Sequence, residues 1–192
     1  MSDIRFEFAG VDEGRWGDLA ALFEALGGPH ACWCMVWREK PPKAGKARGK
    51  ERSALVKKAL RERVSAGTPI GILGYDRDAD APVAWCSVAP RSTYRALGGL
   101  DDPDDGDDVW SIVCFFAKRD YRGKGLTDRL LDAAIEYARS QSAKIIEAYP
   151  VDPDSPSYRF MGFVSVFERA GFKKVGTAGT RRHVMRLMSG LR

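Results

Sequence analysis

The sequence predicts a mixed α/β domain with a central sheet, and three observations carry that reading. Strand-like and helix-like segments interleave in the order β-α-α-β-β-β-α-β-α-β, the pattern that lays helices against a sheet. A continuous apolar run at 109–116, VWSIVCFF, reads as a central strand buried on both faces. That run passes through a basic, Gly-rich turn directly into an amphipathic helix. The 192 residues suit a single domain spanning 1–192, without repeat or linker, and suffice for a core that needs no staples.

The elements follow in order. Ile4, Phe6 and Phe8 alternate with Arg5 and Glu7, as in a half-buried first strand. Asp12 can cap the next helix, whose inward face is Trp16, Leu19, Ala20, Phe23 and Leu26, and Gly27-Gly28-Pro29 stops it. An aromatic stretch, 32–37, precedes a Pro/Gly/Lys-rich loop at 40–50. Residues 51–65 predict a second helix with Leu55, Ala59 and Leu60 inward. Strands follow at 70–75 and 83–88, joined by the turn-rich 76–80. The helix beginning near Leu126 carries Leu126, Leu130, Ala134, Tyr137 and Ala138 on one stripe. Residues 145–151 predict a strand, and 163–170 a short helix closed by Gly171. Alternation of His183, Met185 and Leu187 with Arg182, Val184 and Arg186 predicts the last strand.

Composition narrows the class. Hydrophobic residues make up 44% and charged residues 30%, as in soluble globular proteins. No apolar run approaches the roughly 20 residues that span a bilayer, and the first residues lack a signal-peptide core. A cytoplasmic protein with no membrane partner is therefore expected. Cys32, Cys34, Cys86 and Cys114 are spaced wrongly for a zinc knuckle, so no metal is expected and the thiols read as reduced. The net charge of +5 is unevenly spread: residues 38–63 hold eleven Lys/Arg against three Glu, and 101–108 hold six Asp. Without a groove-reading motif the basic stretch reads as a solvated helix face, and no nucleic-acid partner is expected.

The turn carries the chemistry. Residues 116–131 read FAKRDYRGKGLTDRLL. A helix start offers unpaired N–H groups and partial positive charge, glycines let backbone approach a ligand, and Arg122 and Lys124 add charge. A pyrophosphate is the natural ligand. Neither the Walker pattern nor the Rossmann fingerprint is met.

Here the chain resembles the GNAT superfamily of acyl-CoA N-acyltransferases. The family's Gln/Arg-x-x-Gly-x-Gly/Ala turn is matched by Arg122-Gly123-Lys124-Gly125-Leu126-Thr127, with Thr127 departing at the last position. Its aromatic-Glu-x-x-Gly-Phe signature is matched by Phe167-Glu168-Arg169-Ala170-Gly171-Phe172, one strand further on. The resemblance covers roughly 70–188 well and the N-terminal part loosely. It implies a GNAT-like fold with a splayed strand pair and acetyl-CoA as acyl-donor cosubstrate. The acyl-CoA core would be 70–188, and 1–66 would contribute the acceptor side.

By position, the resemblance implies that Phe115, Phe116 and Ala117 pair by backbone with the pantetheine arm and polarise the thioester carbonyl. Arg122, Gly123, Lys124, Gly125, Leu126 and Thr127 would hold the pyrophosphate. A primary amine of a small molecule, of pKa about 10, must lose a proton before attack. Glu147 or the Asp101–Asp108 loop are the candidate bases. The family's acid, a tyrosine, falls on Phe167 here, leaving Tyr158 and Ser165 as substitutes, or a thiolate that leaves unaided. The aromatic stretch 32–37 and residues 85–91 are either acceptor wall or core, and Arg91 either meets an acceptor carboxylate or lies on the surface. A protein acceptor and a non-catalytic acyl-CoA sensor are the alternatives. A monomer or homodimer is expected.

Overall fold

A computed structural model gives the fold and describes residues 4–100 and 108–190. Its strands are β1 (Phe6–Gly10), β2 (Ile72–Asp76), β3 (Ala81–Pro90), β4 (Val109–Ala117), β5 (Ile145–Ala148), β6 (Lys173–Ala178) and β7 (Arg182–Met188). Its helices are α1 (Trp16–Glu24), α2 (Pro42–Lys46), α3 (Gly49–Ser65), α4 (Leu126–Ser140) and α5 (Val164–Arg169). The strands form one sheet in the order β1-β2-β3-β4-β5-β7-β6. Among the described strands, only the β4–β5 pair is parallel.

Local signals explain some boundaries. Asp12 does not cap α1 as expected: its Oδ1 accepts, at 2.9 Å, the N–H of Arg15, the residue ahead of the helix, and no side chain caps the helix itself. Helix α1 ends earlier than the Gly27-Gly28-Pro29 stop expected from sequence, since Ala25 is already extended (ψ 158°); Gly27, at φ 79°, then turns the chain away. Gly171, at φ 88°, donates its N–H to the Glu168 carbonyl at 3.0 Å behind α5. Leu26 corrects the expected inward face: α1 stops at Glu24, and Leu26 is fully exposed beyond it. Residues 145–151 form a shorter strand than expected, because β5 ends at Ala148 and Val151 makes only isolated bridges to Phe163 and Arg182. Two elements, α2 and β6, are additional to the expected order.

Helices cover both faces. On one, Leu126, Leu130, Leu131, Ala134 and Ile135 of α4 pack against Ile72, Ala84, Cys86, Ile112 and Ile146. Each large side chain so buried contributes about 1.5–3 kcal/mol. On the other, Leu19, Leu22 and Phe23 of α1 and Val56 and Leu60 of α3 meet Leu73 and Trp85. Arg38, fully buried, ties the loop after α1 to β3. It donates to Ile70 O at 2.8 Å and to Ser87 Oγ and Tyr94 Oη at 3.0 Å each. The four thiols are free. No described helix is long and apolar enough to cross a membrane, and no metal-binding cluster occurs among the described residues.

Candidate active site

The parallel pair parts halfway. Val109 to Ile112 of β4 pair with Ile145 to Ala148 of β5, and there β5 stops. Strand β4 runs on to Ala117, held on its other side by β3 as far as Ala84. The 3-10 turn Arg159–Met161 packs against β4 near the parting. It is anchored to the chain beyond β5 by the Val151 N–H donating to Gly162 O at 3.0 Å. The edge of β4 from residue 113 onward is therefore released from β5 and opens onto a groove.

That groove has a volume of about 810 Å³. Phe115, Phe116, Ala117, Arg122, Gly123, Gly125, Leu126 and Thr127 line one side, so eight of the nine residues assigned to the cofactor share one wall. Lys124 is the exception, turned over the Tyr121 ring at 5.7 Å. Gly123 and Gly125 take φ of 72° and 71°, and a Cβ on either would meet no atom within 4 Å. The glycines answer to backbone conformation, then, and leave the turn open to a ligand. Arg122 Nε donates to Ala117 O at 3.0 Å and closes the turn on the strand end.

No side chain caps α4, whose first helical bond runs from Arg129 N–H to Gly125 O. The N–H groups before it present a positive end to the groove. Arg122 and Arg159 add charge to the wall, while Asp128 is neutralised by Arg169 at 2.6 Å. This lining suits a polyanion with an extended arm, since the free strand edge continues straight from the helix N-terminus.

Across the sheet from α4 lies the second assembly. Glu147 is fully buried, and Arg186 Nε donates to its Oε2 at 2.6 Å. The Tyr149 hydroxyl donates to Oε1, and Arg91 Nη1 stands 3.6 Å from the same oxygen. Burial first, then the Glu147 charge, holds the Tyr149 pKa far above that of a free phenol. Gly99 seals the pair, because a Cβ there would lie 2.7 Å from Glu147 Oε1 and 2.8 Å from the Tyr149 hydroxyl. Arg91 is thus engaged with Glu147 and with Leu100 O at 3.0 Å, and is not a bare surface cation.

Tyr158 lies between the two assemblies. Its ring centroid is 6.1 Å from Trp37 and 6.3 Å from Phe160, which is on the groove wall. Its φ is 61°, a left-handed conformation that bulky residues rarely hold. Ser165 is exposed on α5 and lies off the groove wall. Phe167 is fully buried against Phe115 and Phe172. Of the aromatic stretch, Trp33 belongs to the core with Phe23 and Trp85, while Trp37 is half-buried beside Tyr158. The acidic stretch 101–107 lies outside the described residues.

Several groove residues were not anticipated from sequence, notably Tyr121, Arg159, Phe160 and Gly162. Tyr149 carried a readable signal, being two residues from Glu147 and so on the same face of an extended segment. Arg186 carried none, since only the β5–β7 register brings it to Glu147.

A mixed sheet with one parted parallel pair, leading into an uncapped helix N-terminus, defines an α/β domain built to hold an anionic, elongated cofactor. The comparisons with known proteins give the particular family. The model of the acetyltransferase (GNAT) family matches residues 29–172. Among proteins of curated function, no sequence matches the chain. Solved structures share the fold at low identity. Ribosomal-protein-S5-alanine acetyltransferase from Vibrio fischeri is 14% identical with a TM-score of 0.56, over 98% of this chain and 96% of that one. The PaiA N-acetyltransferase from Thermoplasma acidophilum, in complex with coenzyme A, is 11% identical with a TM-score of 0.54, over 96% and 99%. The acetyltransferase yncA from Salmonella typhimurium, with its cofactor acetyl-CoA, is 14% identical with a TM-score of 0.56, over 97% and 95%. The family match spans most of the chain, and the protein belongs to the acetyltransferase (GNAT) family.

Proposed function

We propose that the protein is an acetyl-CoA-dependent N-acetyltransferase that acts on the primary amine of a small molecule by direct attack. One observation carries the reading: the β4 edge freed from β5 beyond Ile112 runs into the Arg122–Gly125 turn and the bare α4 N-terminus along one groove. Residues 1–192 act as one such domain, with 1–66 toward the acceptor and 70–188 toward the cofactor. Coenzyme A complexes of the Thermoplasma acidophilum and Salmonella typhimurium proteins support the choice of cofactor.

Acetyl-CoA supplies an acyl thioester whose thiol is a tolerable leaving group, of pKa about 8.5. The protein holds it. Amides of residues 122–127, with Arg122 and Arg159, face the diphosphate, and Lys124 adds long-range charge. The backbone of Phe115, Phe116 and Ala117 orients the extended arm and offers N–H groups to the thioester carbonyl.

Proton handling falls to the second assembly. Glu147 and Tyr149 are both fully buried and off the groove wall; Tyr149, which borders the cavity lined by residues 91–100, is the proposed relay, its hydroxyl passing its own proton to Glu147 as it takes up the amine proton. Tyr158, itself off the groove wall but with its ring 6.3 Å from that of Phe160 on the wall, is the proposed donor of a proton to the departing thiolate. Ser165, off the groove wall, is the less favoured donor.

Phe167, buried where the family carries its acid, favours one second reading: an acyl-CoA sensor that binds without turnover. A thiol-release assay with acetyl-CoA across amine classes separates the two. Release with any amine supports the transferase. Tight coenzyme A binding with no release across neutral, anionic and cationic amines supports the sensor.

A further inference from the structure

Trp37 closes the aromatic stretch and packs beside Tyr94, Leu97, Tyr149 and Met161. Two guanidinium groups lie over its indole. Arg182 is 4.4 Å from the ring centroid and Arg95 is 5.9 Å from it. Arg182 also faces Tyr158 at 5.3 Å. Neither arginine pairs with a carboxylate among the described residues. Arg182 donates to Leu97 O and Arg95 to Val36 O, each at 2.8 Å. The indole N–H of Trp37 is buried there with no partner.

Two like charges on one ring repel each other, and cation–π attraction offsets this only partly. Burial lowers the Arg182 pKa, so its desolvation is not compensated by a protein anion. Glu147 cannot serve, being committed to Arg186 and Tyr149. What the cluster lacks is an anion. Planar guanidinium forks match a carboxylate well. The place also suits an acceptor, because Trp37, Tyr158 and Phe160 form a continuous line of rings from the arginines to the groove wall. A polyamine brought to the same place would meet Arg95 and Arg182, both of its own sign.

We infer that Arg95 and Arg182, over the Trp37 indole, bind a carboxylate of the acceptor, and that the enzyme acetylates a small amine that also carries a carboxylate, as an amino acid does. This rests on the transferase reading and adds the substrate class.

The test uses the full chain, acetyl-CoA, and amines of two to six carbons in three matched series: amino carboxylate, its carboxamide, and aminoalkyl phosphate. Thiol release should favour the carboxylate over the carboxamide by about tenfold or more in kcat/KM. Arg95→Gln, on the surface and safe for folding, should raise KM for the carboxylate by about tenfold with kcat little changed, and leave the carboxamide unaffected. Arg182→Gln should do the same, and Arg182→Lys, which keeps charge but loses the planar fork, should fall between. Equal turnover across the series, preference for the phosphate, a wild-type preference in Arg95→Gln, or no turnover in any series while acetyl-CoA binds would each overturn the assignment. Calorimetric titration with acetyl-CoA is run alongside. Failure of the wild-type chain to bind removes the transferase reading itself, whereas binding without carboxylate preference removes only this inference.

Discussion

Glu147 and Arg186 stand directly opposite each other on β5 and β7, joined by a 2.6 Å bond between side chains that are 0% and 10% exposed. A pair so withdrawn from water contributes little net stability when intact, but loss of one partner strands a buried charge. Glu147→Gln should therefore destabilise the protein by about 3–5 kcal/mol, read as a lower urea midpoint. Combining Glu147→Leu with Arg186→Met should recover most of that loss. A small effect of Glu147→Gln alone would show that the pair is solvated in solution.

Tyr149 is expected to matter for rate more than for stability. Tyr149→Phe removes the hydroxyl proposed to relay the amine proton to Glu147, and should lower kcat by on the order of 10²- to 10⁴-fold while acetyl-CoA binding is unchanged. The same hydroxyl makes stability pH-dependent. Its folded pKa is raised, so the folded state keeps a proton that the unfolded chain loses near pH 10. The contribution is complete below about pH 10 and falls away as pH rises further. Urea midpoints between pH 9 and 11.5 should decline less steeply in Tyr149→Phe than in the wild type.

Tyr158→Phe tests the proton donor. Turnover should fall by roughly 10²-fold with KM for acetyl-CoA unchanged. Unchanged kcat would mean that the thiolate leaves without an acid, and would fit the family's usual position being occupied by Phe167.

Gly99→Ala tests the seal over Glu147 and Tyr149. With an added Cβ 2.7 Å and 2.8 Å from their oxygens, the loop must move, at a cost of about 1–3 kcal/mol. Activity should fall further than stability, because the Tyr149–Glu147 bond is the part displaced. Equal unfolding midpoints and equal rates for variant and wild type would contradict the packing.

The groove proposed for the cofactor has a wall contiguous in the chain, which made the wall itself largely legible in the sequence. Strand end, turn and helix start follow one another from Phe115 to Thr127, and each obeys a local rule. The central strand was likewise legible from its unbroken apolar run. Strand β6 was not, because Lys173 to Ala178 form an outer strand whose first three residues are exposed, so no buried face imposes an alternation. The helix α2 spans five residues, too few for a helical period to show. Leu26 fitted the period of α1, but the helix has already ended at Glu24, with Ala25 extended at ψ 158°. The proposed acceptor side depends on pairings across long separations, Glu147 with Arg186 and Trp37 with Arg182, that only the closed sheet defines.

Calorimetric titration of acetyl-CoA into the wild-type protein, Arg122→Glu and Gly125→Glu tests the groove most directly. Carboxylates placed at the α4 N-terminus should repel the diphosphate and weaken binding by about a hundredfold or more, with circular dichroism showing both variants folded. Saturable wild-type binding lost in both variants is the expected result. Wild-type affinity in either folded variant, or no binding by the unmodified chain, would contradict it.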